Sequence, residues 1–424
     1  MFIINLIKKI SKLINYIIIL LFLIIVFSAI FIINSEDYSI KHERKNLRNI
    51  LKLGTIRSNL LNDYNQVFLP ETQYQNFKFD KLKLEFLNPK ESTFFYSRHY
   101  TFFIEENDQD LFVITQKGNL YFIKKNQLTS EDLKFKKIET NIESQRILDM
   151  KIFQDNIYLS TIEKNDQKYF ISIKKSKLNK KKFDFQEVFV SPNNECISKN
   201  TNGGKIEFIN KFGDYKILLS VGSIINMNDK NQKTLNSQNN EDVCGKIILI
   251  DLINSNFEIY AKGLRNVIGL YSENNITLAT DNGPFGGDEI NKIERGDNFG
   301  WPISSYGEKY FKNKFLEGED YFKNHNLNGF VEPIFAFVPS IGISEIIKIP
   351  NSFSKTWQNN YLIGSLNGKS LYRVKFNDNY SKLIYYEKIF VGDRVRDIIY
   401  LEDEKKIIMA LEHSGSIGII SKIN

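Results

Sequence analysis

"DLFVITQKGNLYFIKK", residues 110–125, reads as two β-rich runs folded about Lys117-Gly118-Asn119. A Gly-Asn turn between two such runs is a hairpin signal. The form recurs as "NIYLSTIEKNDQKYFISIKK" (156–175), "GKIILIDLINSNFEIYAKG" (245–263), "NNYLIGSLNGKSLYRVKF" (359–376) and "KIIMALEHSGSIGIISK" (406–422). Each is a strand, a Gly/Asn/Asp turn and a strand, and long helical stretches are absent. About 345 residues built this way (80–424) make either two sandwiches or one closed radial array. Four-stranded blades run roughly 40 to 60 residues, so five to seven would fit. No Pro/Gly-rich linker divides the region, so the expected fold is an all-β propeller. The polar tract 226–242 lies between strands and is expected to be an extended surface loop.

Outward from this body, the strongest compositional feature is the N-terminus. No charged residue occurs from Leu13 to Ser35, enough apolar chain to span a bilayer as a helix. Lys8, Lys9 and Lys12 precede the run and Glu36 and Asp37 follow it, which orients the N-terminus to the cytoplasm. Residues 1–35 are therefore expected to be a transmembrane signal anchor, with the propeller exported to the periplasm or cell exterior. Ser28 and Ala29 keep cleavage open as the alternative. Residues 36–79 read as a stalk or linker, in which Leu47, Ile50, Leu51 and Leu53 have helical spacing.

The formal charge of +7 is spread over many lysines in an Ile-, Asn- and Lys-rich chain, which does not read as a nucleic-acid surface. The densest basic run, 174–185, joins strand-like segments and reads as a solvated hairpin end. Cys196 and Cys244 either pair, closing a loop worth about 4 kcal/mol in the chain-entropy model, or are buried free thiols. Four scattered histidines, His42, His99, His325 and His413, form no metal-binding pattern.

One stretch needs a chemical explanation: "DNGPFGGDEINKIERGDNFGWP", 281–302. Its glycines fit neither the P-loop pattern nor a dinucleotide fingerprint. Its carboxylates miss the offsets of an EF-hand. What remains open is a metal or cofactor loop, with Asp288 and Glu289 supplying charge, or a set of structural turns. Arg394 and Arg396 alternate in a strand-like run and so share one side of it. With Asp393 and Asp397 beside them, they suit an anion site or a plain ion-pair network.

Taken in order, "AKGLRNVIGL" (261–270), "DNGPFGGDEIN" and "GDNFGWP" resemble the pyrroloquinoline quinone (PQQ) dependent soluble aldose dehydrogenases. This is the glucose/sorbosone dehydrogenase family of six-bladed β-propellers. "VPSIGIS" (338–344), "YLIGSLNGKSLYRVKF" (361–376) and 393–417 are similar to its last two blades, and "NGGKIEF" (202–208) to an earlier segment. The resemblance implies a PQQ over the central pore with Ca²⁺ on the quinone, and oxidation of a sugar or related polyol at C1. It implies that Arg265 and Asn266 face the cofactor and that Gly283 and Pro284 lend carbonyls to calcium. Asp288 and Glu289 would brace that loop or a second calcium, and Arg394 and Arg396 would clamp carboxylates. The electron acceptor is open.

Departures fall where the chemistry would occur. Thr201 occupies the position of the family's catalytic histidine, and a threonine hydroxyl is no general base near neutral pH. Lys205 replaces an arginine, Ser223 an aspartate, Ile268 a glutamine, Phe299 a tyrosine, and Asn367 (with Lys369 close by) a cofactor-reading lysine. Phe337-Val338 fill the place of an expected tryptophan. Asp214, Glu207 and Glu195 are candidates to replace the base. Two readings follow: a membrane-anchored quinoprotein dehydrogenase with an altered base, or an inactive propeller that binds a carbohydrate, an envelope ligand or a protein. A calcium-centred lactone hydrolase is a third.

Overall fold

The computed structural model describes residues 66–68, 77–87, 100–128, 134–179, 181–192, 196–211, 214–223, 236–308 and 321–423. The expected anchor, the stalk helix, Glu195 and most of the polar tract lie outside these residues. Among the described residues no helix is long and apolar enough to cross a membrane.

Among the described residues the strands form six sheets. The first blade holds Phe102–Glu106, Asp110–Thr115, Leu120–Lys124 and Lys136–Thr140; the second, Arg146–Phe153, Asn156–Asn165, Lys168–Lys177 and Gln186–Val190. The third holds Gly203–Lys211, Asp214–Val221, Lys246–Asp251 and Phe257–Lys262; the fourth, Val267–Glu273, Ile276–Asp281, Asp288–Lys292 and Phe335–Phe337. The fifth runs Ile343–Lys348, Tyr361–Ser365, Ser370–Phe376 and Leu383–Phe390. In the sixth, Val395–Leu401, Lys406–Leu411 and Ser416–Lys422 are joined by Phe77–Lys83 from the other end of the chain, Phe77 opposite Lys422. That strand crosses the boundary expected at residue 80. All five expected hairpins are present, and Gly118, at φ +90°, makes the first turn.

Within each blade consecutive strands pair antiparallel, and each first strand packs against the first strands of both neighbours. This puts the six first strands on the inner wall of a ring. The apolar cores lie between blades. Ile104 and Val113 of the first blade cluster with Ile408 and Ile419 of the sixth, and Leu278 and Ile290 of the fourth cluster with Ile363 and Val374 of the fifth. No blade could bury its faces alone, which is why the ring closes. Outer strands show the complementary pattern: along Leu383–Phe390, exposed side chains alternate with more buried ones. The basic run 174–185 lies partly in a strand, and Lys182–Phe183 crosses to pair parallel with Glu139 and Thr140 of the first blade. Cys196 and Cys244 are joined by a disulfide with their Cα atoms 6.2 Å apart.

Candidate functional site

In an antiparallel blade the start of the first strand and the turn between the second and third strands lie at the same end. The backbone ties these two kinds of segment together around the ring. Ile147 N–H donates to the Gln116 carbonyl (2.8 Å), Ser223 N–H to Arg265 (2.7 Å) and Asn282 N–H to Asn266 (2.9 Å). Leu366 N–H donates to Gly342 (2.7 Å) and Glu412 N–H to Arg394 (2.8 Å). Thr201, Arg265, Asn266, Gly283, Pro284, Asn367, Arg394 and Arg396, scattered over the sequence, therefore share one mouth of the ring. Asn367 is exposed on its turn, with its N–H on the Ile341 carbonyl at 3.0 Å.

Arg394 and Arg396 converge on one carboxylate. Arg394 Nε lies 3.0 Å from Glu412 Oε2 and Arg396 Nε 2.8 Å from Oε1, and the Thr101 hydroxyl donates to Oε1 at 2.8 Å. Burial alone would raise the Glu412 carboxyl; the two guanidiniums and the Thr101 hydroxyl overcome it and bring it down to about 2. Glu412 is 1% exposed, whereas the arginine side chains keep 23% and 19% of their surface open. His413, next in the turn, donates its backbone N–H to Asp393 Oδ1 at 2.9 Å, and burial holds its imidazole below the ordinary range.

The glycine-rich loop is organised from inside. Arg265 Nη1 donates to the carbonyls of Asn282 and Gly283, the latter at 2.9 Å, with its guanidinium 5.5 Å from the Trp301 ring centroid. Asp281 accepts the N–H groups of Arg265 (2.8 Å) and Asn266 (2.5 Å); burial nevertheless pushes its carboxyl up to about 6. Asp288 accepts the backbone N–H of Gly283 (3.0 Å), Ile341 (2.9 Å) and Ile343 (2.9 Å), and the Ser340 hydroxyl. Its carboxylate braces two loops with both oxygens engaged. Glu289 Oε1 lies 3.4 Å from Nε2 of His325, whose Nδ1 is 2.8 Å from the Phe299 carbonyl. Burial, reinforced by Asp281, pushes Glu289 well above the carboxylate range. Among the described residues no three His, Cys, Asp or Glu side chains are grouped to hold a metal. Gln238, at the end of the polar tract, bonds the Asn298 side chain and the Trp301 carbonyl, so this part is docked rather than extended.

Thr201 is fully buried; its hydroxyl accepts the Ser198 N–H at 2.8 Å and its carbonyl accepts Arg146 Nη2. Asn266 Oδ1 accepts the Gly203 N–H at 3.1 Å, which makes it a brace for the same segment. Of the candidate replacement bases, Asp214 opens a second strand at the far end of its blade. Glu207 lies within the channel wall, 3.5 Å from Lys151. Lys205, also in the wall, is 2.6 Å from Asp149 and 3.8 Å from Asp397 and contacts Glu345; these carboxylates outweigh burial and raise its ammonium well above the ordinary range. Sequence reasoning missed Arg146 and Glu412. Glu412 stood in a recognised hairpin turn, whereas nothing local marked Arg146, whose partners are more than fifty residues away.

A family model described as glucose/sorbosone dehydrogenase matches residues 101–419. Aldose sugar dehydrogenase YliI of Escherichia coli K12 is 29% identical over 173 residues, 39% of this chain and 44% of that protein. An uncharacterised Synechocystis protein is 25% identical over 162 residues, 38% of each. The matches thus span less than half the length of these curated relatives. The crystal structure of the soluble E. coli aldose sugar dehydrogenase in its apo-form superposes with a TM-score of 0.61 at 19% identity, covering 82% of this chain and all of that one. The PQQ-bound aldose sugar dehydrogenase of Streptomyces coelicolor gives 0.54 at 15% identity, over 83% and 99%. At these identities the superpositions establish a shared fold. With the family match running from the first strand of the first blade into the last hairpin of the sixth, the chain belongs to the glucose/sorbosone dehydrogenase family.

Proposed function

We propose that the chain is a quinoprotein dehydrogenase of small sugars, anchored by residues 1–35 with its propeller exported, and that its cofactor lies over the mouth described above. The observation that carries this reading is the pair Arg394 and Arg396, partly open and fixed over one buried carboxylate. PQQ is a planar quinone bearing carboxylates, and paired guanidinium forks suit it. Calcium fits less well: the Gly283 carbonyl is engaged by Arg265 and the Asp288 oxygens by backbone donors. No step is therefore assigned to a metal. When bound, PQQ would supply the two-electron acceptor for a sugar C1–OH.

This chain's own residues orient the partners and move the proton. Arg394 and Arg396 would hold the anionic edge of the cofactor, and Arg265, 5.5 Å from the Trp301 ring centroid, fixes the glycine-rich loop through the Asn282 and Gly283 carbonyls. Thr201 takes no proton, since its hydroxyl is buried and already accepts a hydrogen bond. The reading assigns the sugar's hydroxyl proton to His413, which burial keeps neutral at pH 7. The test is titration of the full-length chain with PQQ, with and without Ca²⁺, followed by quinone absorbance, then aldoses with an artificial acceptor. Binding with sugar-driven quinone reduction is expected, and His413→Gln should lower kcat by about 10²- to 10⁴-fold without weakening PQQ. The engaged Thr201 hydroxyl favours the second reading, an inactive propeller binding a carbohydrate or envelope ligand; PQQ binding without turnover would select it.

A further inference from the structure

Arg146 heads the first strand of the second blade and is 3% exposed. Its Nη2 donates to the Thr201 carbonyl and lies 3.3 Å from Asn202 Oδ1, while its Nε is buried without a partner. Among the described residues no carboxylate pairs with it, and the charged group that acts on it is another cation, Arg396. A buried guanidinium without an anion is costly, and proteins rarely keep one idle. The surroundings do not neutralise it. Glu412 is already shared by Arg394 and Arg396, Lys205 has its own carboxylates deeper in the wall, and Arg265 is tied to the 282–283 carbonyls. Among the described residues, Arg146, Arg394 and Arg396 thus have one bonded carboxylate, Glu412, between them.

We infer that the substrate is an acidic sugar of the uronic acid type and that Arg146 receives its carboxylate. This rests on the reading of the mouth as a sugar site. The carboxylate is assigned to the substrate because Arg146 stands on the second blade, bonded to the Thr201 segment, apart from the arginine pair of the sixth blade that the proposed function gives to the cofactor. Arg394 and Arg396, the pair fixed on Glu412, are left for the cofactor. A neutral sugar would leave the buried Arg146 charge without an anion.

The experiment is calorimetric titration of the full-length chain, free of cofactor and at constant ionic strength, with D-glucuronate, D-galacturonate, D-glucose, D-galactose and sodium acetate. A uronate should bind at least about tenfold more tightly than its neutral counterpart, as a charge-assisted hydrogen bond warrants. Arg146→Gln should erase that preference and Arg146→Lys should keep part of it; circular dichroism checks folding, and the lysine variant carries the test if the glutamine variant does not fold. Equal binding of acid and neutral sugars, acetate binding as tight as uronate, or an undiminished preference in Arg146→Gln would each overturn the inference. Titration with PQQ separates the sources of the anion. If Arg146→Gln weakens PQQ and leaves the uronate preference intact, the carboxylate is the cofactor's and the inference fails. If PQQ binds neither protein while the uronate preference follows Arg146, the quinone reading falls and this one stands.

Discussion

Glu105 carries a carboxyl into the channel wall with 14% of its side chain exposed, 3.7 Å from Lys151. Burial pushes it from the ordinary 4.5 up to about 8, against the pull of Lys151 and with Asp397 and Asp149 adding repulsion. The sign of its effect on stability follows from proton binding. Below about pH 4.5 the carboxyl is protonated in both states and costs nothing; between about 4.5 and 8 the unfolded chain releases the proton while the folded one keeps it. Stability therefore falls as pH rises through that window and levels off above it. Glu105→Gln should remove the fall: urea midpoints of variant and parent agree at pH 4, and the variant is the more stable at pH 8.5. A midpoint difference that does not change with pH would mean that Glu105 titrates in the fold as it does in the unfolded chain, and that burial does not raise it. Residues of this kind are the least legible in sequence. Glu105, Lys151 and Arg146 look like ordinary strand charges until the ring brings neighbouring first strands side by side.

The hairpins were legible because everything that makes them is local: β-rich runs, a Gly or Asn turn, and short spacing. The 281–302 loop was legible as special, but sequence left open whether its carboxylates hold an ion or the chain. In the fold Asp288 holds the chain, joining the Gly283 turn to the entry of the fifth blade through Ile341 and Ile343. Asp288→Ala leaves three buried N–H groups without an acceptor and should cost about 3 kcal/mol or more in chemical denaturation. Dialysis against a chelator should leave the melting temperature of the parent unchanged, since backbone N–H groups and the Ser340 hydroxyl already engage both Asp288 oxygens. A drop on chelation, restored by Ca²⁺, would return Asp288 and Glu289 to the ion-binding role that the charge of their loop suggests. Elsewhere resemblance supplied what local pattern could not: that the Arg265, Gly283 and Arg394 segments face one another is a property of the ring.

At the scale of the molecule the ring depends on two long-range closures. The Cys196–Cys244 disulfide spans 48 residues across the third blade, so Cys196→Ser with Cys244→Ser should cost about 4 kcal/mol if chain entropy governs the effect. The other closure is non-covalent. Phe77–Lys83 completes the sixth blade along Ser416–Lys422, and Phe77 anchors it, fully buried with its ring 5.3 Å from Phe353 and 4.6 Å from Trp357. Phe77→Ala should cost about 3–5 kcal/mol from the lost burial and the cavity it leaves. Where that loss appears tests how the fold coheres. The cores lie between blades, so releasing the closing strand exposes faces of both the first and fifth blades, as the shared clusters with Ile104 and Phe353 require. Hydrogen exchange should then show Asp110–Thr115 and Tyr361–Ser365 losing protection together with Ser416–Lys422, although Phe77 lies in none of them. Loss confined to Ser416–Lys422 would mean that the blades open singly, and that the mouth, with Arg146, Arg265 and Arg394 on three different blades, keeps its geometry without ring closure.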